Sequence, residues 1–181
     1  AIPAQLMSAE QRRIRLRDVP LPGCPPWLGV DRAIGAWAGW TRSSTLSLDL
    51  SSGLLLVDAG TVLSLTVLSP DGDFVGGQLI PGYRLQLSAM TQETEALSET
   101  VFAAPGKERF PKDTMSAMRR GVLQAMVSAV QDAQRACGGL LWLCGGDAEL
   151  LATELRHSSP QLQLDPELQL RGLFDLLDAS N

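Results

Sequence analysis

Leu54 to Gly82 reads LLLVDAGTVLSLTVLSPDGDFVGGQLIPG, an apolar run that stops at a carboxylate and two small residues before an apolar pattern resumes. Leu54, Leu55, Leu56 and Val57 are continuously apolar, as in a strand covered on both faces of a mixed or parallel sheet. Asp58 stands at the carboxyl end of that strand. Ligands of open α/β sheets bind beyond the carboxyl ends of the strands, so a charged residue there is a site candidate. Ala59 and Gly60 leave room for another backbone or a phosphate, and Thr61 offers a hydroxyl. A second strand is expected over Val62 to Leu68, then a turn at Pro70-Asp71-Gly72-Asp73. A third strand, Phe74 to Ile80, should pair antiparallel with the second. Gly76-Gly77 removes the side chains at one point of it, and Pro81-Gly82 ends it and starts a helix.

Three further stretches keep company with this one. Gly29-Val30-Asp31-Arg32 lies upstream and enters a small-residue helix, Asp31 to about Trp40, whose Ala33, Ala36, Ala38 and Gly39 allow close packing beneath the sheet. Asp31 sits near the amino end of that helix, where the dipole favours a carboxylate; a plain N-cap is the simplest reading of it alone. Downstream, Asp113-Thr114 opens the longest helical signal, Lys112 to Ala136. Met115, Met118, Val122, Met126 and Val130 recur there at three- and four-residue steps, a core or subunit-interface stripe. Leu140 to Cys144 reads as a buried strand, and Gly145-Gly146-Asp147-Ala148 turns from it into a helix ending near His157.

The remainder is less patterned. The first 28 residues, with Pro3, Pro20, Pro22, Pro25 and Pro26, read as an irregular connection into a domain, with one amphipathic edge strand over the RIRLR of Arg13 to Arg17. A loop is favoured over a strand for Trp40 to Gly53. A helix is expected from Tyr83 to Leu97, with Met90 and Leu97 in the core, then a loop from Glu99 to Pro111. A short strand at Leu162 to Leu164 precedes a helix that Asp165-Pro166 caps and starts and that runs on through Arg171-Gly172-Leu173 to Leu177.

Composition narrows the function classes. At 181 residues the chain holds one ordinary domain with a real core. Its 45% hydrophobic and 19% charged residues are those of a soluble globular protein, and no apolar run approaches a membrane span. A net charge of −5 argues against a nucleic-acid surface. Cys24, Cys137 and Cys144 are widely spaced and accompany a single histidine, so a zinc site is not expected; an odd cysteine count suggests a reducing cytoplasm.

Taken together, Asp58-Ala59-Gly60-Thr61 (D-x-G-T), Gly76-Gly77-Gln78-Leu79-Ile80-Pro81-Gly82, Gly29-Val30-Asp31-Arg32 (G-x-D-R) and Asp113-Thr114 occur in the order found in the type III pantothenate kinases, which the chain resembles from Leu28 onward. The resemblance implies a ribonuclease H-like α/β fold of the actin, acetate and sugar kinase superfamily, a mixed sheet with flanking helices. It implies ATP-dependent phosphorylation of pantothenate to 4′-phosphopantothenate, the first step of coenzyme A biosynthesis, by a cytoplasmic homodimer. Asp31 would be the catalytic base, with Gly29, Val30, Asp31 and Arg32 on the substrate and Thr114 reaching the substrate of the partner subunit. Asp58 would hold a monovalent cation, K+ or NH4+; Thr61, Gly145 and Gly146 would contact ATP, and Mg2+ would accompany the nucleotide. Asp113 stands where the family more usually has Asn, which keeps the capping oxygen and adds charge.

The family's opening D-x-G-N-T motif is not found in the sequence. We therefore expect 1–28 to be a connection from an earlier portion, and 29–181 to be the kinase core with its substrate, cation and dimerisation elements. Two alternatives stay open: a non-catalytic dimerising module that keeps the substrate half, and a kinase of the same superfamily acting on another alcohol.

Overall fold

The computed structural model describes residues 13–92 and 103–178. Its elements in chain order are α1 (Val30–Thr45), β1 (Leu54–Ala59), β2 (Val62–Leu68), β3 (Phe74–Pro81), α2 (Tyr83–Gln92), α3 (Thr114–Cys137), β4 (Leu140–Cys144), α4 (Ala148–Leu155), β5 (Gln163–Leu164) and α5 (Leu168–Asp178). The five strands form one mixed sheet in the order β3-β2-β1-β4-β5. β1 pairs antiparallel with β2 and parallel with β4, and β2 pairs antiparallel with β3.

The continuous apolar run of β1 has a direct cause. Leu55, Val57 and Ala59 point into a core built with α3 and α4, whereas Leu54 and Leu56 point into a second core under α1 and α5. Both faces are dry, and Leu54 to Val57 are at most 1% exposed. α1 lies close to the sheet because Ala33, Gly35, Ala36, Ala38 and Gly39 are buried in it. Ser43, on the same helix, accepts a 2.8 Å hydrogen bond from the Trp142 indole N–H of β4 and donates to the Gly39 carbonyl, a fully buried polar link between helix and sheet.

Several expectations need correcting. The RIRLR segment is not a strand: residues 13–15 are irregular and Leu16–Asp18 forms a single 3-10 turn. The Asp18 carboxylate accepts the Arg15 N–H at 2.8 Å, closing the chain on itself before Pro20. α1 runs five residues beyond Trp40, because the Ser43, Ser44 and Thr45 hydroxyls donate to carbonyls one turn back and settle these polar residues within the helix. Met90 is 41% exposed rather than core, since only Tyr83 and Leu87 of α2 are buried. The expected end of that helix at Leu97 lies outside the described residues. α4 stops at Leu155, and α5 begins at Leu168 after a turn in which the Asp165 side chain accepts from the Glu167 N–H.

Other features agree with the sequence reading. Asp113 caps α3 by accepting the Ser116 N–H at 2.9 Å, and Gly138 closes its carboxyl end. Met118, Val122, Met126 and Val130 are buried, joined by Leu123 and Val127. No helix of the described residues is long and apolar enough to cross a membrane.

Candidate active site

The turn from Gly29 into α1 brings Asp31 and Arg32 over one face of the β1–β2–β3 hairpin. Gly29 occupies the N-cap, and Asp31 falls in the first helical turn, with Oδ1 accepting the Arg32 N–H at 2.9 Å. Asp31 is therefore not the cap of its helix, and its exposed carboxylate stands at the positive end of the dipole.

Arg32 reaches across to β2. Its Nε and Nη2 donate to Thr66 Oγ1 at 3.3 and 3.2 Å, and Nη2 lies 3.5 Å from the Leu65 carbonyl. Thr66 is paired with Gly77 of β3, where a Cβ would come 2.7 Å from Arg32 Nη2 and 2.0 Å from the Leu65 oxygen. Of the paired glycines it is Gly77 that serves the guanidinium, whereas a Cβ on Gly76 would meet nothing within 4 Å.

Asp58 projects from the end of β1 onto the same face. Its Oδ2 accepts a 2.8 Å hydrogen bond from the Gln169 side-chain amide of α5, and the Cys144 thiol of β4 bonds to it as well. Burial pushes this carboxyl above the ordinary aspartate range; the bond from Gln169 opposes the shift, the charge of Asp31 adds to it, and the bond from Cys144 opposes it. Burial, with the neighbouring Asp58 and Asp165 charges, also drives the Cys144 thiol upward, so it stays protonated as a donor. At Gly145, with φ +88°, a Cβ would sit 2.5 Å from Asp58 Oδ1 and 2.7 Å from the Ala59 carbonyl, so glycine is required on both counts. Ser64, directly opposite Asp58, is buried on this face, and its hydroxyl has no partner among the described residues.

Thr61 stands beyond the strand ends beside a cavity of about 430 Å3, which Gly60 and Gly146 also line. Asp31, Arg32, Asp58 and Gly145 thus gather on the α1 face, and Thr61 and Gly146 gather at a cavity at the same end of β1 and β4. Thr114 is set apart. It opens α3, which packs against the opposite face of the sheet, and is exposed there.

Thr66, Ser64, Cys144 and Gln169 were not legible as site residues. For the first two a signal existed: Ser64 and Thr66 alternate with Leu63, Leu65 and Val67 on β2, and a hairpin register sets them on the side of Asp58. For Gln169 there was none, since 111 residues separate it from its partner.

The sequence profile of type III pantothenate kinases matches residues 17–136. The chain belongs to this family. It is 36% identical over 183 residues to the type III pantothenate kinase of Synechococcus elongatus, covering 93% of this chain and 67% of the relative. Against that of Rhodopirellula baltica it is 33% identical, covering 92% and 61%. The chain thus spans about two thirds or less of the length of these type III pantothenate kinases. Among solved structures, a Campylobacter jejuni protein described as a Baf family transcriptional activator shares the fold, with a TM-score of 0.64 at 22% identity over 92% of this chain and 72% of its own.

Proposed function

We propose that the chain phosphorylates pantothenate at its 4′-hydroxyl with the γ-phosphoryl of ATP, the first step of coenzyme A biosynthesis, in the cytoplasm. The observation that carries this reading is the Arg32 guanidinium held on Thr66 beside an exposed Asp31 carboxylate, on the face that also bears Asp58. Phosphoryl transfer asks mainly for positioning and charge stabilisation. A fixed fork donor suits the carboxylate of pantothenate, and the neighbouring Asp31 can accept the proton of the attacking hydroxyl. The Gly29 and Val30 backbone would close over the substrate.

Thr61, Gly145 and Gly146 would receive the nucleotide. Asp58 fits a monovalent cation, K+ or NH4+: one oxygen is committed to Gln169, and its carboxylate lies within the field of Asp31. Among the described residues no group of three or more His, Cys, Asp or Glu converges on one point, a donor set that suits Mg2+ arriving on the phosphate oxygens of ATP. When bound, the cations offset phosphate charge. Thr114, on the exposed start of α3, would act on the pantothenate of a partner subunit in a homodimer.

Calorimetry of the purified chain with pantothenate, and separately with Mg-ATP, together with a coupled ADP-release assay, tests this. Pantothenate binding that is lost in Arg32→Ala is the expected result, with turnover that is lost in Asp31→Asn. Pantothenate affinity indifferent to Arg32→Ala refutes the site.

A further inference from the structure

The first turns of α2 have no part in the site described so far, yet they are fastened to its nucleotide end. The Gly82 N–H donates to the Thr61 carbonyl at 2.9 Å, and a Cβ on Gly82 would meet the Gly60 oxygen at 2.1 Å. The helix that follows is therefore locked onto the turn that carries Thr61. Arg84 and Ser88 are one helical turn apart and share a face of α2. Both line the cavity of about 430 Å3 beside Thr61, with Leu85 between them on the same wall. The facing wall is the turn into α4. Gly146 leaves open space there, with nothing within 4 Å of a would-be Cβ, and the Asp147 N–H is tied to the Ala59 carbonyl at 2.9 Å.

The charges of this cavity are unequal to its task without Arg84. A nucleoside triphosphate is a polyanion, and it would enter a chain of net charge −5 past Asp147. Among the described residues lining the cavity, Arg84 is the single cation. Thr61 and Ser88 offer hydroxyl donors at the two ends, which neutralise nothing.

We propose that Arg84 is a nucleotide-binding residue that brings positive charge to the phosphates of ATP, with the Ser88 hydroxyl as a second contact on the same wall. This deepens the kinase reading above and rests on it. The Leu85 side chain, 43% exposed between them, gives that wall an apolar surface for the nucleoside.

Isothermal calorimetry with the non-hydrolysable analogue AMPPNP and Mg2+ tests the assignment, with pantothenate titrated in parallel. Arg84→Ala should weaken AMPPNP at least tenfold, Arg84→Lys should recover to within about threefold of wild type, and Ser88→Ala should lose about threefold. Pantothenate affinity should stay within twofold in all three. Arg84→Ala binding AMPPNP as wild type does, or losing pantothenate to the same degree, overturns the assignment; a lysine variant as weak as the alanine variant overturns the role of charge. A wild-type chain that binds pantothenate but no AMPPNP overturns the nucleotide reading together with this inference, whereas wild-type binding with an indifferent Arg84→Ala overturns the inference alone.

Discussion

The Arg32 guanidinium and the Thr66 hydroxyl meet across 34 residues of sequence, with two nitrogens of one side chain donating to a single oxygen of the other. Thr66 is fully buried and β-branched, so it cannot follow a wandering guanidinium. Thr66→Val keeps the shape and removes the acceptor. Pantothenate affinity should fall about fivefold, close to the ~1 kcal/mol of one hydrogen bond. Thermal unfolding, measured beside the calorimetry, should separate this loss from simple destabilisation.

Gly77→Ala attacks the same contact from β3. The added methyl meets backbone at 2.0 Å, where nothing flexible can yield, as well as the Arg32 fork at 2.7 Å. Urea unfolding should report a loss of roughly 2 kcal/mol or more, and pantothenate binding should be weaker than in Thr66→Val.

Asp31→Asn preserves size and the bond from the Arg32 N–H while removing the carboxylate proposed to accept the hydroxyl proton. ADP release should fall about 100- to 10,000-fold, with pantothenate affinity changed only a few-fold. A variant that keeps its turnover would remove Asp31 from the chemistry.

Acid stability has a separate seat. Arg120 of α3 grips Glu154 of α4 with both terminal nitrogens, at 2.7 and 3.0 Å, and the Arg120 side chain is 12% exposed. The bonds from Arg120 hold the Glu154 carboxyl below its ordinary range. A depressed carboxyl pKa contributes stability above the unfolded value and loses it as pH falls through the folded one. The melting temperature of the wild type should therefore drop below about pH 4.5, the ordinary glutamate value. Glu154→Gln should flatten that limb at a cost of about 1 kcal/mol near neutrality, modest because Glu154 is partly exposed.

Ser43→Ala tests the buried link to Trp142. It strands an indole N–H in a dry core and should cost about 1–3 kcal/mol by urea unfolding.

The strands β1 to β4 were legible almost to the residue, because a run of apolar residues ending at Asp58, a period of two and a Pro-Asp-Gly turn are all local signals. The carboxyl end of α1 was not, because Ser43, Ser44 and Thr45 look like a loop until their hydroxyls are seen bonded one turn back. Arg13 to Arg17 misled for the opposite reason: an alternating pattern needs a neighbouring strand, and the chain turns at Asp18 instead. Within the site, Asp31, Arg32 and Asp58 were marked by their motifs. The neighbours that hold them, Thr66 and Gln169, are chosen by sheet register and by helix packing, which no short stretch encodes.

The strand order β3-β2-β1-β4-β5 also sets an order of assembly. Everything that grips Arg32 comes from α1 and the β1–β2–β3 meander, consecutive pieces of chain that close short loops. The pairing of Leu54 with Leu140 and the bond from Gln169 to Asp58 must wait for the far end of the chain, at a larger entropic cost of closure. The side that holds Arg32 thus closes the shorter loops, while its core is completed by Trp142, Leu168 and Leu176 from the far end of the chain, and α5 acts as a latch on Asp58. When the chain begins to open from its carboxyl end, the Asp58 carboxylate loses its Gln169 partner while the contact of Arg32 with Thr66 is still intact.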